Sequence, residues 1–252
     1  WRNVRRDHFV KVWLERERHN GLGSIDNMRD MLSVAVNYEV MLAKVLRMTP
    51  TSERLQLLRE QDYFQMTLLH RAARSGNLES VKFLIAQYPA SEILQAVSLH
   101  DDEKRTVLHH AAFSDNGPLL RYMFTLMTES ERAQFLKMQD RHGNTLLHLA
   151  ALSGNTESID IVLALYPESK RLTALCMPNE SGNTTLHNAA ESGSIECINA
   201  IISHFPESQR SQILRIQNQG GVAALHYAAD SGSTECLKAF LALYPVKTEC
   251  LQ

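Results

Sequence analysis

The sequence is poor in the features that would place it in several large functional classes. It has four cysteines in 252 residues, at 176, 197, 236 and 250, with no CxxC spacing. That is too few for a disulfide scaffold and the wrong pattern for a zinc finger, and a reducing compartment suits it best. Long apolar runs are missing. None approaches the roughly 18 residues needed to cross a bilayer, and no secretory leader is visible. Neither sign of charge dominates: 26 Lys and Arg stand against 28 Asp and Glu, for a net charge of −2 and a pI near 6.6. A balanced chain has no global basic field, so bulk nucleic-acid binding is not implied. GxSxG, HExxH, P-loop, DFG and paired Cys/His signatures are all absent, so no catalytic residue is assigned. The chain opens on Trp1 rather than Met, which suggests a piece of a longer protein.

What is present is a repeat. The phrase Thr67-Leu-Leu-His70 returns as Thr106-Val-Leu-His109, Thr145-Leu-Leu-His148, Thr184-Thr-Leu-His187 and Ala223-Ala-Leu-His226, each histidine 39 residues after the last. A fixed period of this size signifies stacked units around one continuous core, and 44% apolar residues suffice to build it.

Each unit reads in four parts. A segment opened by Pro50, Pro89, Thr128, Pro167 or Pro206 has helical spacing and predicts a short third helix. A turn follows, opened by Asp62, Asp101, Asp140, Asn179 or Asn218, whose side chain bonds the backbone two residues on. Gly143, Gly182 and Gly221 occupy its left-handed position; Gln65 and Lys104 replace glycine in the first two units, predicting differently shaped tips. Helix A begins at the Thr of the phrase and ends near a Ser-Gly pair, and helix B follows. In the third unit helix B runs from Glu157 to Tyr166 with Ile159, Val162 and Leu163 inward. Residues 25–50 lack the phrase, but Leu42, Val45 and Leu46 match the apolar register of the next unit. They are read as a degenerate capping repeat before five full repeats over about 51–245. Residues 1–24 are read as an amphipathic helix and linker. Its mixed charges and Trp and Phe favour docking on a neighbour over a membrane or nucleic acid.

A turn, then T-x-L-H-x-A-A, then Ser-Gly-Asn and a second helix resembles the ankyrin repeat. The match covers roughly 62–245. Two departures stand out. The usual period is about 33, and the extra residues here lie after helix B. The Pro of the family's TPLH is replaced by Leu68, Val107, Leu146, Thr185 and Ala224. The resemblance implies an all-α solenoid of helix-turn-helix units with β-turn tips, lengthened here by an extra short helix per repeat. The YPES-x-R phrase with the long repeat also resembles ankyrin arrays in effector proteins of intracellular bacteria. That would place the protein in a cytoplasm, the host cytosol if it is secreted.

Three constellations recur with the period. The five histidines are assigned a structural role, which the resemblance implies: each bonds turn backbone and the Thr hydroxyl. A row of histidines does not converge as a zinc site requires, so no metal or cofactor is expected. His110 beside His109 reads as exposed. Arg54, Arg132, Arg171 and Arg210 form a series, either an anion-binding stripe or, as we favour, partners of Glu168, Glu207 and their neighbours. Glu157, Glu196 and Glu235 mark a solvated helix face. On helix B of the last unit, Leu237, Phe240, Leu241 and Tyr244 are expected to be exposed.

In the family, partners dock on turn tips and the free side of helix A. Mapped onto this sequence, the large residues at those positions are Tyr63, Phe64, Met66, Arg74, Arg105, Phe113, Arg141, His142, Asn144 and Leu152. All lie in the first three units. The expected function is binding of a protein partner there by a monomeric module without chemistry of its own. The alternative is the substrate-recruiting region of a larger enzyme.

Overall fold

A computed structural model describes residues 49–243, together with Leu42, Leu46 and Arg47. The expected N-terminal helix, most of the capping repeat, Tyr244 and Cys250 lie outside the described residues. Leu42 and Leu46 are buried.

Among the described residues the chain forms fifteen α-helices and no strand. They are α1 (Thr51–Arg59), α2 (Leu68–Arg74), α3 (Leu78–Ile85), α4 (Ile93–Ser98), α5 (Val107–Phe113), α6 (Gly117–Thr125), α7 (Glu129–Phe135), α8 (Leu146–Leu152), α9 (Thr156–Ala164), α10 (Glu168–Leu175), α11 (Thr185–Ser192), α12 (Ile195–Ser203), α13 (Glu207–Ile213), α14 (Ala224–Asp230) and α15 (Thr234–Leu243). The A helices are α2, α5, α8, α11 and α14. The B helices are α3, α6, α9, α12 and α15. The third helices are α1, α4, α7, α10 and α13, and a 3-10 turn over Ala90–Glu92 precedes α4.

None of these helices exceeds ten residues, too short to persist alone in water. Stacking holds them. The A helices pack in chain order, α2 on α5, α5 on α8, α8 on α11 and α11 on α14, and each B helix packs against its own A helix. An A helix inside the stack touches a neighbour on both sides, which is why its centre is an alanine pair. Ala72-Ala73, Ala111-Ala112, Ala150-Ala151 and Ala189-Ala190 are fully buried, and a longer side chain there would overpack the interface. The B helices supply the bulk of the core through Val81, Leu84, Leu120, Met123, Ile159, Val162, Ile198 and Ile201, all at most 1% exposed. Cys197 and Cys236 are buried at equivalent places, as small core residues should be. Phe240 departs from expectation: it is fully buried against the core, and Leu237 is half-buried, leaving Leu241 as the exposed large apolar residue of α15.

The third helices are present at each expected place, but the arginine series does something neither sequence reading anticipated. Arg54, Arg171 and Arg210 each donate from Nε to the carbonyl five residues earlier, at 2.9, 3.3 and 3.2 Å; Arg132 donates to the Phe124 carbonyl at 2.9 Å. The Phe124, Tyr166 and Phe205 carbonyls lie at or just past the C-terminal end of the preceding helix B, where acceptors are left over and the helix dipole is negative. Arg132, Arg171 and Arg210 are therefore C-terminal caps that tie the third helix to helix B.

Candidate protein-binding surface

The tips are built by one side chain each. Asp140 Oδ1 accepts from the backbone N–H of His142 and Asn144, both at 2.9 Å. Asp62, Asp101, Asn179 and Asn218 make the same pair of bonds. Successive tips are also joined. The N–H groups of Asp102, Arg141, Glu180 and Gln219 donate to the carbonyls of Phe64, Glu103, His142 and Ser181, at 2.8 to 3.0 Å. Gln65 and Lys104 take left-handed φ values of 55° and 56°, close to the 76° of Gly143. The first two tips thus share the shape of the others, at the cost of some strain.

Each fastening histidine is held in one tautomer. In the third unit the Thr145 N–H donates to His148 Nδ1, so that nitrogen is bare, and Nε2 faces the Asn183 carbonyl at 3.1 Å and must carry the proton. His70 and His187 repeat this with Leu99 and Val222. Burial, with the repulsion of His110, lowers His70 to about 4, and burial lowers His109 to about 4. Burial also lowers His148 and His187, against the hydrogen bonds to carbonyls. In His70, His148 and His187 both nitrogens are engaged, so these rings are fasteners with none to offer a metal; His109 is held through Nδ1 by the Thr106 N–H, and its buried Nε2 makes no hydrogen bond. His226, on the last described A helix, is exposed, and Ala223 supplies no hydroxyl to it.

His110 is not exposed. It is 3% accessible and its Nε2 meets Asp101 Oδ2 at 2.7 Å. The same position in unit one is Arg71, which pairs with Asp62. In unit three Asp140 instead takes Arg105 of the previous unit at 3.1 Å. Desolvation opposes the ionisation of Asp101 and Asp140, but the hydrogen bonds from His110 and the Arg105 backbone, and those from Asn144 and His142, outweigh it and hold both below the usual range.

The ten mapped residues separate once burial is known. Tyr63 is 89% exposed, Phe64 52% and Phe113 42%. The Tyr63 and Phe64 rings meet edge-on at 5.4 Å. Arg74 is also exposed, and Leu152 is half-buried. Arg141 and His142 are exposed and share one partner, Glu103, at 3.3 and 3.0 Å. Two residues correct the expectation. Met66 is buried under its own tip, and Asn144 is buried, bonded to Asp140 and to Asn179. Neither presents its side chain to a partner, and Arg105 is largely spent on Asp140. Glu157, Glu196 and Glu235 are solvated as expected.

On the edge made by the third helices, α10 and α13 leave an open apolar cleft of about 720 Å³ between Leu172, Met177, Phe205 and Ile213. Its titratable group is Cys176, whose thiol burial pushes upward, away from the reactive thiolate.

Three copies of a family model described as ankyrin repeats match the chain, over residues 31–133, 69–174 and 170–249. The chain belongs to the ankyrin-repeat family. Ankyrin arrays are generally protein–protein interaction modules and typically non-catalytic. No curated protein matches the sequence. Among the described residues of this array, no helix is long and apolar enough to cross a membrane.

Proposed function

We propose that this ankyrin array is a protein-interaction module whose partner docks on the tips and A helices of its first three units, residues 62–153. The observation that carries the reading is the exposure of Tyr63, Phe64 and Phe113 on the tips and A-helix ends of the first two units, with Arg74 and Arg141 exposed at the same kinds of position. Exposed aromatics and arginines on a rigid surface are the side chains that supply most binding energy in protein interfaces. The equivalent positions in the last two units, Glu180, Ser181, Glu191, Gln219 and Asp230, are small, polar or acidic. The module acts as a monomer in a cytoplasm and carries no chemistry of its own. Its resemblance to bacterial effector arrays makes a host protein the partner class to try first.

The test is a pull-down with the triple change Tyr63→Ala, Phe64→Ala, Phe113→Ala. Partner recovery should collapse while the helical circular dichroism and melting temperature hold. Undiminished recovery from a folded variant would reject this surface. The second use of such a surface, recruiting substrate to a catalytic domain on a longer chain, is decided by a catalytic signature in the full-length reading frame.

A further inference from the structure

The docking face has an order along the stack that its exposed aromatics alone do not convey. Arg74, Phe113, Leu152, Glu191 and Asp230 occupy the same position near the ends of the five A helices, 39 residues apart each time. Because those helices stack in chain order, the five residues form a row: one cation, two apolar side chains, then two anions. Most other charges near the row are already used. Arg71 pairs with Asp62, Arg105 with Asp140, and Glu103 holds both Arg141 and His142. Asp102 and Lys104 sit on one turn and carry opposite charges. Arg74 at one end and Glu180, Glu191 and Asp230 at the other are exposed and have no ion pair among the described residues.

We propose that the partner element is an amphipathic helix with segregated charge. Its acidic end lies over unit one, its apolar stripe over units two and three, and its basic end over units four and five. This rests on the docking surface proposed above and extends it to units four and five. A helix fits better than an added strand. The tip carbonyls of Phe64, Glu103, His142 and Ser181 are already taken by the next tip, so that row offers no free edge for β-pairing. Packed helices lie about 8–10 Å apart. At 1.5 Å per residue, each step along the row is therefore about six residues of the docked helix, so four heptads span all five units. Acidic residues favour a helix N-terminus, which puts the partner's N-terminus over Arg74.

The experiment uses two synthetic four-heptad helices of identical composition, titrated into the full 252-residue chain by fluorescence anisotropy. One carries Glu in its first heptad, Leu and Phe in the middle two, and Lys in the last. The other mixes Glu and Lys at both ends. The segregated helix should bind about tenfold tighter, and Arg74→Glu should weaken it about fivefold, the scale of exposed ion pairs. Changing the first-heptad Glu to Lys should restore binding to the Arg74→Glu chain. Equal affinity for the two helices, or no rescue, overturns the charge order while leaving the aromatic docking surface standing. Binding of neither helix also overturns it, and the pull-down with Tyr63, Phe64 and Phe113 changed then judges the docking surface separately.

Discussion

The first and last tips of the array do the same backbone work with different chemistry. In units one to three the turn is opened by Asp62, Asp101 and Asp140, and each carboxylate needs a neutralising partner: Arg71, His110 and Arg105. In units four and five it is opened by Asn179 and Asn218. Their amides accept the same two N–H bonds and donate onward to Asn144 Oδ1 and Asn183 Oδ1, both at 2.8 Å, with the Tyr227 hydroxyl joining the network. A carboxylate is the stronger acceptor, but burying it requires a cation or an imidazole beside it. A neutral amide can both accept and donate, so it chains from repeat to repeat without one. One half of the array is held by paired charges, the other by an amide ladder.

Acid should separate the halves most. His70 and His109 have folded values near 4, against 6.5 in the unfolded chain. The unfolded state therefore binds more protons between those limits. Stability is full above about 6.5 and is lost as pH falls toward 4, by about 3 kcal/mol for each histidine. Asp101 and Asp140 are depressed, so their contribution persists through that window and is lost only below the ordinary carboxylate range. Urea denaturation at pH 7.5, 5 and 4 measures the first step. Amide exchange at pH 5 should show units one and two opening first. Uniform loss of protection along the array would mean that protonating His148 and His187, lowered in the same direction, costs units three and four as much.

Exchanging the opening residues is the next largest effect. Asp140→Ala strands the Arg105 guanidinium and two N–H groups and should cost about 3 kcal/mol in chemical denaturation; Asp140→Asn keeps the N–H bonds and should cost about 1 kcal/mol. Asn179→Asp tests the other direction. It places a carboxylate against the Asn144 oxygen with no cation in place, and should destabilise by about 1–2 kcal/mol at neutral pH. If Asn179→Asp is neutral, the amide ladder contributes little.

A smaller effect concerns tip strain. Gln65→Gly and Lys104→Gly relieve left-handed backbone and should each stabilise by about 1 kcal/mol, read as a rise in melting temperature. Gly182→Gln should do the opposite, because its φ is 81° and a Cβ there would stand 2.7 Å from the Gln219 nitrogen. The smallest change is Glu103→Gln. Its pairs with Arg141 and His142 are solvent-exposed, so stability should move by less than about 0.5 kcal/mol. The salt dependence of stability should weaken with it.

Particular residues mark what could be read beforehand. The turns, the A and B helices and the added third helix were legible because each is a local pattern that recurs with the period; the role of His148 as a fastener came from the resemblance to the ankyrin repeat. Arg171 was misassigned because its partner, the Tyr166 carbonyl, is main chain, and main-chain acceptors carry no sequence signal. His110 read as exposed because nothing local says that Asp101, nine residues away, folds back onto it. Met66 and Asn144 sit at family docking positions yet point inward; Asn144 does so because Asn179 of the next unit reaches it. Gln65 and Lys104 read as a change of tip shape, when the bonds from Asp62 and Asp101 hold the turn to the common form.

The sequence by itself determined the period, the order of helices within a unit and the residues at each register position. Those follow from hydrophobic spacing, turn chemistry and capping, all of which act within a few residues. Only the tertiary structure decided which side chains remain free. That depends on what the adjacent repeat brings into reach, and so it separates Arg74 and Phe113 on the open face from Arg105 and Asn144, which are spent on their neighbours.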